Sequence, residues 1–559
     1  MPDKPIISIF IDGNEVKVPA GTNIIEAAKA AGVEIPHYCY HRNLSVAGNC
    51  RMCLIEMGME MKDRATGQVV LDESGKPKIQ WLPRAQIACA TNAAPGQHFK
   101  TNSPLVKDSR NAVLEFLLLN HPLDCPICDQ AGECKLQEYA ADYGRGVSRF
   151  TEEKNHKPKQ TRLGPRVTLD DERCILCGRC VRFSREVARD DCLGFVNRGS
   201  YSTLSCYPGR ELSHNYSLNT VDICPVGALT STDFRFKMRV WFLKESPSIC
   251  EESSVGINTT VGSREGRIYR VTPRRNDAVN DAWMTDSGRE LYKAAQSPDR
   301  LGAGIDVEKT ARAIQERLAD GKGLAIVGSA RMSLEEQFLL ARIAGRLHPE
   351  RLDLVAHLGA SDGLLISEDR TPNMRGAFLT GLIGSYPADN LEGLRGQIAA
   401  GRIKTVLVIR EDLGSLGLSL EDLKKVCVIA GDSHVTPTTL SAGLVQPLGT
   451  VFERSGSFIN CQWRIQKFSQ AVPMPKGVSS DIAFLDGILR NLGEKPLPAP
   501  TPEAVWKLMA ESVPQLKGLS YAAIPPTGLV IDGSAWENIS FPEITKTLHY
   551  EPKQAAHIA

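Results

Sequence analysis

Thirteen of the chain's sixteen cysteines fall before residue 225, gathered in groups with recurrent Cys-x-x-Cys spacing. Nothing else in the sequence restricts its folding as strongly, because grouped thiols must converge on a metal or on one another. The amino terminus, "MPDKPIISIFIDGNEVKV", has no charged-then-apolar signal pattern and reads at once as strand, turn and strand. The expectation is therefore a chain that stays in the reducing compartment where it is made. There, such spacing predicts metal ligation rather than disulfides.

The first group is "HYCYHRNLSVAGNCRMC" with "IACAT" downstream. Cys39, Cys50, Cys53 and Cys89 leave gaps of 10, 2 and 35 residues. A 2Fe–2S cluster needs four thiolates around two irons, with one ligand returning from elsewhere in the chain. The first gap differs from that of the plant-type ferredoxins, so a different subtype is expected. A zinc site is the alternative, but zinc commonly pairs two short knuckles and here there is one. The second group, "NHPLDCPICDQAGECKLQ", offers His121, Cys125, Cys128 and Cys134. Three thiolates need a fourth ligand, and no nearby cysteine supplies it. His121 can, since imidazole binds iron or zinc well. A neutral imidazole in place of a thiolate removes one negative charge and raises the potential of an iron–sulfur site. A Cys₃His zinc site or a capping surface histidine are the competing readings.

The third group is "DERCILCGRCVRFSREVA" with "VDICPVGAL". Cys174, Cys177 and Cys180 form the triplet of a bacterial ferredoxin, and Cys224, followed by Pro225, is the returning ligand. The position that would serve a second cluster is Ser184, so one 4Fe–4S cluster is expected. Cys192 and Cys206 are left as buried free thiols. Zinc has no redox chemistry. Three such groups in series read as an electron wire.

Elsewhere the sequence is more ordinary. The formal charge of +1 argues against a nucleic-acid partner. The longest apolar run, "AVLEFLLL" (Ala112–Leu119), is far below the roughly 20 residues of a membrane span. No direct membrane insertion is therefore expected. At 559 residues the chain is too long for one core. It opens with a hairpin turning at Asp12-Gly13-Asn14, followed by a helix carrying Ile24, Ile25, Ala28 and Ala31. A polar hairpin-like insertion, "KDRATGQVVLDESGKPK", comes next. A helix is predicted around Ser109 to Asn120, and "TEEKNHKPKQTRLGPR" reads as a connector. From residue 323 apolar strands alternate with helices: "GLAIVGS", "LEEQFLLARIAGRL", "RLDLVAH", "KTVLVIRE", "KVCVIAG". That alternation predicts α/β structure with parallel strands. "AIVGSARMS" has a shape that can cradle phosphate. It lacks the G-x-G-x-x-G fingerprint, so it is read as scaffold without cofactor.

The phrases "GNCRMCLIE", "NHPLDCPICDQAGEC", "RCILCGRCVRF" and "DICPVGALT", in this order, resemble the large iron–sulfur subunit (the G, or 75 kDa, subunit) of respiratory complex I, NADH:quinone oxidoreductase. The resemblance covers roughly residues 1–300. It implies a multidomain α+β and α/β fold. A β-grasp 2Fe–2S ferredoxin-type domain would span 1–100, a His-Cys₃ 4Fe–4S segment 101–140 and a bacterial-ferredoxin-like 4Fe–4S module 165–240. A degenerate 4Fe–4S linker domain of the molybdenum/tungsten type would span 244–300. A degenerate molybdopterin-oxidoreductase-like α/β scaffold would span 301–540, where "LGTVFERSGSFINCQWRIQ" is similar to a phrase of that fold, and a tail 541–559. It assigns one 2Fe–2S cluster to Cys39, Cys50, Cys53 and Cys89, and two 4Fe–4S clusters, to His121, Cys125, Cys128 and Cys134 and to Cys174, Cys177, Cys180 and Cys224, with no molybdenum or pterin. It also implies electrons arriving from an NADH-oxidising flavin subunit and leaving for downstream iron–sulfur subunits and quinone. The expected place is the cytoplasmic side of a bacterial inner membrane, peripheral, within the complex. This chain would itself carry no catalytic residue and neither the NADH nor the quinone site.

Many bacterial members carry a further 4Fe–4S frame with gaps of 2, 3 and 27. Counted from Cys250, its other positions become Ser253, Ile257 and Thr285, while "SPSIC", "REGRIYRVTPR" and "AWMTDSGRE" keep the surroundings. No metal is expected there. The alternative is a catalytic or diaphorase subunit of a formate dehydrogenase- or hydrogenase-type oxidoreductase. After Cys250 only Cys427 and Cys461 remain, too few for the active-site cluster of an iron-only hydrogenase.

Overall fold

Asp12 and Gly13 both take left-handed φ, +50° and +86°, which matches a two-residue turn to the twist of the strands it joins. Strand β1 (Ile6–Ile11) therefore folds straight back onto β2 (Asn14–Pro19). Asn23 caps α1 (Ile24–Ala30) by accepting from the Ile25 amide, and the helix buries Ile24, Ile25, Ala27 and Ala28. Strands β3 (Leu54–Glu60), β4 (Ile79–Trp81), β5 (Gln86–Ile87) and β6 (Gln97–Lys100) complete a sheet ordered β2-β1-β6-β3-β4, with β5 on β3. Parallel pairing of β1 with β6, beside a hairpin and one helix, is a β-grasp arrangement.

This computed structural model describes residues 4–63, 66–73, 75–302, 305–318, 321–387 and 391–542. The tail expected at 541–559 thus lies, after its first two residues, outside the described residues. So do three positions of the polar insertion, 64, 65 and 74. The chain gathers into two units that meet in sequence at Phe242 and Leu243.

The first unit continues with α2 (Pro104–Leu118) and α3 (Lys135–Tyr143). Helix α2 starts five residues before the predicted Ser109. Ser103 caps it by accepting from the Val106 amide, and Pro104 occupies the first turn, where its missing N–H costs nothing. Of the expected connector 151–166, residues 151–160 are irregular while Thr161 and Arg162 pair as a short strand, and Lys154 ties the segment to the end of α2 through the carbonyls of Leu118 and Leu119. Next come β7 (Thr161–Arg162), β8 (Val167–Leu169), α4 (Arg179–Glu186), β9 (Leu193–Val196), β10 (Thr203–Cys206), α5 (Asn219–Asp222) and β11 (Leu229–Ser231). Strand β11 lies antiparallel on β8.

The second unit opens on an antiparallel sheet of β12 (Lys244–Ile249), β13 (Asn258–Arg264) and β14 (Arg267–Pro273), followed by α6 (Asp286–Ala295). Beyond it stand α7 (Val307–Leu318), β15 (Leu324–Gly328), α8 (Leu334–Leu347), β16 (Arg351–Leu354), β17 (Thr405–Ile409), β18 (Cys427–Asp432) and β19 (Leu444–Pro447). The five strands form a wholly parallel sheet ordered β16-β15-β17-β18-β19. Every residue of β15 and β17 is buried, as parallel strands covered on both faces require. Each Val, Leu or Ile so buried contributes about 1.5–3 kcal/mol. Ser333 and Glu336 close a capping box at the start of α8.

Candidate metal centres

The loop between α1 and β3 carries Cys39, Cys50 and Cys53, and a single turn after β5 delivers Cys89. Cys39, Cys53 and Cys89 are buried and Cys50 is half-buried. The wrap is tight: Gly48 and Arg51 take φ of +64° and +60°, and the Cys39 amide donates to Cys50 Sγ at 3.4 Å. The thiols stand within hydrogen-bonding reach of one another. Bonds from Cys50 and Cys89 hold Cys39 below the usual thiol range, and the same contact with Cys39 pushes Cys89 up. None of the cysteines is in a disulfide. Four converging thiols, three of them buried, fit a cationic centre that takes them as thiolates.

The second set lies between α2 and α3. Cys125 is exposed, Cys128 is buried, and Cys134 is buried at the N-cap of α3. The three are electrostatic neighbours, and burial raises Cys128 and Cys134. His121 shares Arg173 as a neighbour with Cys128. Its Nδ1–H donates to the Pro122 carbonyl at 3.1 Å, which places the free lone pair on Nε2. That Nε2 is buried without a hydrogen-bond partner, and burial lowers the ring's pKa, keeping it neutral. A neutral imidazole with one nitrogen oriented by a carbonyl and the other unsatisfied is the form in which histidine binds metal.

In the third set, Leu176 and Gly178 take φ of +54° and +71°, folding the triplet into a tight loop before α4. Cys174, Cys177 and Cys224 all act electrostatically on the buried Cys180. Burial pushes Cys174 up to about 12 and Cys224 up to about 11. Amides of Ala228 and Leu229 approach the Cys224 sulfur. Such a set ionises only around a cation.

The three sets are stitched together. Asn49 Nδ2, from the first loop, donates to the Leu176 carbonyl of the third at 3.2 Å. The Lys135 amide, beside Cys134, donates to the Pro225 carbonyl, beside Cys224, at 3.0 Å. A Cβ on Gly227 would overlap Cys128 Sγ, so the chain returning from Cys224 lies directly on the second set.

The fourth frame is built differently. Cys250, Ser253, Ile257 and Thr285 are all buried, and the Cys250 amide donates to the Ile257 carbonyl at 2.9 Å. Cys250 Sγ and Thr285 Oγ1 do come together: a Cβ on Gly288 would lie 2.7 Å from the one and 2.6 Å from the other. Glu252 joins them: its Oε2 lies 3.2 Å from the same point, and its carboxylate accepts from the hydroxyls of Thr285 and Ser287. Ser253 Oγ turns away to the Leu365 carbonyl at 3.4 Å. Burial raises the Cys250 thiol, and Glu252 raises it further. Glu252, Gly227 and Asn49 were not singled out in the sequence. Their contacts are long-range, and no local spacing marks them.

Of the spare thiols, Cys192 is buried and accompanies Ser184 Oγ at 3.4 Å. Ligand atoms of Asp190, Cys192 and His214 lie within 4.8 Å of one another. Asp190 is paired with Arg210, however, and His214 Nδ1 accepts from the Tyr216 amide.

Four family models match the chain. A 2Fe–2S iron–sulfur cluster binding domain covers residues 4–73, and an NADH-ubiquinone oxidoreductase-G iron–sulfur binding region covers 110–149. The ferredoxin-like domain of NADH-quinone oxidoreductase subunit 3 covers 164–230, and an NDSU1/NuoG-like 4Fe–4S domain covers 243–293. The mitochondrial NADH dehydrogenase [ubiquinone] iron–sulfur protein 1 of Solanum tuberosum is 36% identical over 74% of this chain and 54% of its own length. The G subunit of NADH-quinone oxidoreductase from Rickettsia prowazekii is 41% identical over 51% of this chain and 39% of its own. The 75 kDa subunit of NADH-ubiquinone oxidoreductase of Reclinomonas americana is 41% identical over 51% and 38%. The matches thus span about half the length of these relatives or less. A solved NAD⁺-reducing [NiFe]-hydrogenase covers 42% of this chain and 91% of its own at 28% identity, with a TM-score of 0.33.

Proposed function

We propose that this chain, a homologue of the G and 75 kDa iron–sulfur subunits and built from the same cluster-binding domains, is an electron-transfer subunit of an NADH:quinone oxidoreductase. Cys39, Cys50, Cys53 and Cys89 hold a 2Fe–2S cluster. His121, Cys125, Cys128 and Cys134 hold one 4Fe–4S cluster, and Cys174, Cys177, Cys180 and Cys224 hold another. The clusters supply one-electron chemistry when bound. The protein supplies ligands, burial and hydrogen bonds to sulfur, which set the potentials. The observation that carries this reading is the stitching of three thiol-rich sets, with His121 Nε2 buried and unsatisfied in one of them. The contacts favour the order first set, third set, second set.

The flavin subunit that oxidises NADH is the proposed electron donor, and downstream iron–sulfur subunits are the acceptors. The proposed place is peripheral, on the cytoplasmic side of a bacterial inner membrane; among the described residues no helix is long and apolar enough to cross one. The second unit serves as a molybdopterin-oxidoreductase-like scaffold without molybdenum or pterin. In a doubly wound sheet, ligands bind where the strand order reverses, beyond the carboxyl ends of the strands. Here that place is beside β15 and β17, where Ser329 Oγ donates to Glu411 at 2.5 Å and His357 Nε2 meets Glu411 at 2.7 Å. Arg410 pairs with Asp481, and Arg454 with Glu336. Ser329, His357 and Glu411 thus bond one another and the arginines meet carboxylates, while Arg454 Nε and Asp481 Oδ2 stay buried without a hydrogen-bond partner.

The test is iron and acid-labile sulfide analysis with EPR of the reduced assembly. About ten iron atoms per chain, in one two-iron and two four-iron signals, are expected. Zinc without sulfide, or stoichiometric molybdenum, would sink the reading.

A further inference from the structure

Two arginines of α4 lie between the first and third cysteine sets. Arg182 is 7% exposed. Its Nη2 donates to the Cys39 carbonyl at 2.5 Å and to the Cys177 carbonyl at 3.4 Å. Its Nη1 donates to the Ser45 carbonyl, and its Nε to the Gly178 carbonyl at 3.2 Å. One guanidinium thus bonds the backbone of a ligand from each set. Arg179 repeats the pattern one turn earlier, with Nη1 on the Ile223 carbonyl at 3.1 Å and Nη2 on the Tyr40 carbonyl. Ile223 and Tyr40 are each the sequence neighbour of a ligand, Cys224 and Cys39.

Every one of these bonds ends on a neutral carbonyl. Neither guanidinium meets a carboxylate among the described residues; Glu186, on the same helix, is taken by the Ser45 amide and hydroxyl. A buried cation without a counter-charge is costly, and arginine does not escape the cost by losing its proton. The charges that can balance Arg179 and Arg182 are the thiolates themselves: Cys39, Cys177 and Cys224 are among the groups acting electrostatically on Arg179. Four thiolates around a 2Fe–2S or a 4Fe–4S core leave a net negative centre, and reduction adds to it. A fixed positive charge nearby favours the reduced form.

We propose that Arg182, together with Arg179, is a potential-setting bridge that raises the midpoint potentials of the first and third centres together and fixes their spacing through the carbonyls of Cys39 and Cys177. These are positioning residues. The inference rests on the cluster assignment above, and it distinguishes these two centres from the second, whose ligands neither arginine bonds.

The experiment is an EPR-monitored redox titration of the full chain in its assembly, with iron counted, for the wild type, Arg182→Met, Arg182→Lys and Arg179→Gln. In Arg182→Met and Arg179→Gln the first and third signals are expected to titrate at lower potential while the His121 signal stays in place. Arg182→Lys keeps the charge and is expected to stay close to the wild type. If Arg182→Met loses iron where Arg182→Lys retains it, the charge itself is required and the proposal stands. Unchanged first and third potentials in iron-replete Arg182→Met would overturn it. So would a shift in Arg182→Lys as large as in Arg182→Met, or loss of iron from both, which would make Arg182 a packing residue. Failure of the wild type to show one two-iron and two four-iron signals would instead refute the cluster assignment.

Discussion

His121 and Gly227 show how much a single position decides in this chain. The Pro122 carbonyl fixes the His121 tautomer and leaves Nε2 buried and unsatisfied. Replacing His121 by cysteine should therefore keep a cluster in the second set but lower its potential, because a thiolate adds a negative charge that imidazole lacks. A redox titration that leaves the second signal where it was would refute histidine ligation. Gly227 acts by having no side chain. A methyl there would fall far inside contact distance of Cys128 Sγ. Gly227→Ala should displace that ligand and cost about four of the roughly ten iron atoms, read by iron analysis, with the other two signals preserved. The cysteines and His121 stand out in the sequence because they share the short spacing and residue types that metal ligation would demand. Gly227 and Glu252 do not, because each is defined by a partner reached through folding: Cys128 for the one, Thr285 and Ser287 for the other.

Among elements, the near-continuous apolar runs of β15, β17 and β18 announced a buried parallel sheet, and that is where they lie. The fifth strand, β19, was missed: "LVQP" is four residues long and ends in proline, with no run to mark it. Helix α2 was placed late because its start depends on the Ser103 cap and Pro104 rather than on apolar period. The segment between β16 and β17 carries a titratable consequence. Asp369 is 1% exposed. Its Oδ1 accepts from the amide and hydroxyl of Thr371, while Oδ2 is buried without a partner. Burial pushes its pKa up to about 6 against the pull of Thr371, Arg375 and His357. A carboxyl raised on folding takes up a proton as the unit folds. Its contribution is thus present below its unfolded pKa of about 4 and is lost as pH rises through about 6. The shift corresponds to about 3 kcal/mol. Asp369→Asn should raise the melting temperature of the second unit at neutral pH and have little effect near pH 4, as followed by circular dichroism. Equal effects at both pH values would contradict the assignment.

For the molecule as a whole, the decisive matter is how metal is divided between the two units. All three complete cysteine sets lie before Phe242, whereas the unit that begins at Leu243 holds Cys250, Cys427 and Cys461. The NDSU1/NuoG-like 4Fe–4S family model nevertheless matches residues 243–293. The matched stretch folds as β12, β13, β14 and the capped start of α6, with Thr285 as the N-cap that accepts from the Gly288 amide. A cluster depends instead on four side chains, and here three of the four positions are Ser253, Ile257 and Thr285, with Thr285 bonded to the Glu252 carboxylate. A carboxylate beside a thiol also opposes thiolate formation, in keeping with the raised Cys250. Cleaving the loaded protein near Phe242 and separating the fragments should accordingly leave all iron and labile sulfide, about ten iron atoms, with the first unit. Cys250→Ser in the uncut protein should leave every EPR signal intact. Iron recovered with the second fragment, or a signal lost with Cys250, would show that the frame still holds a fourth centre.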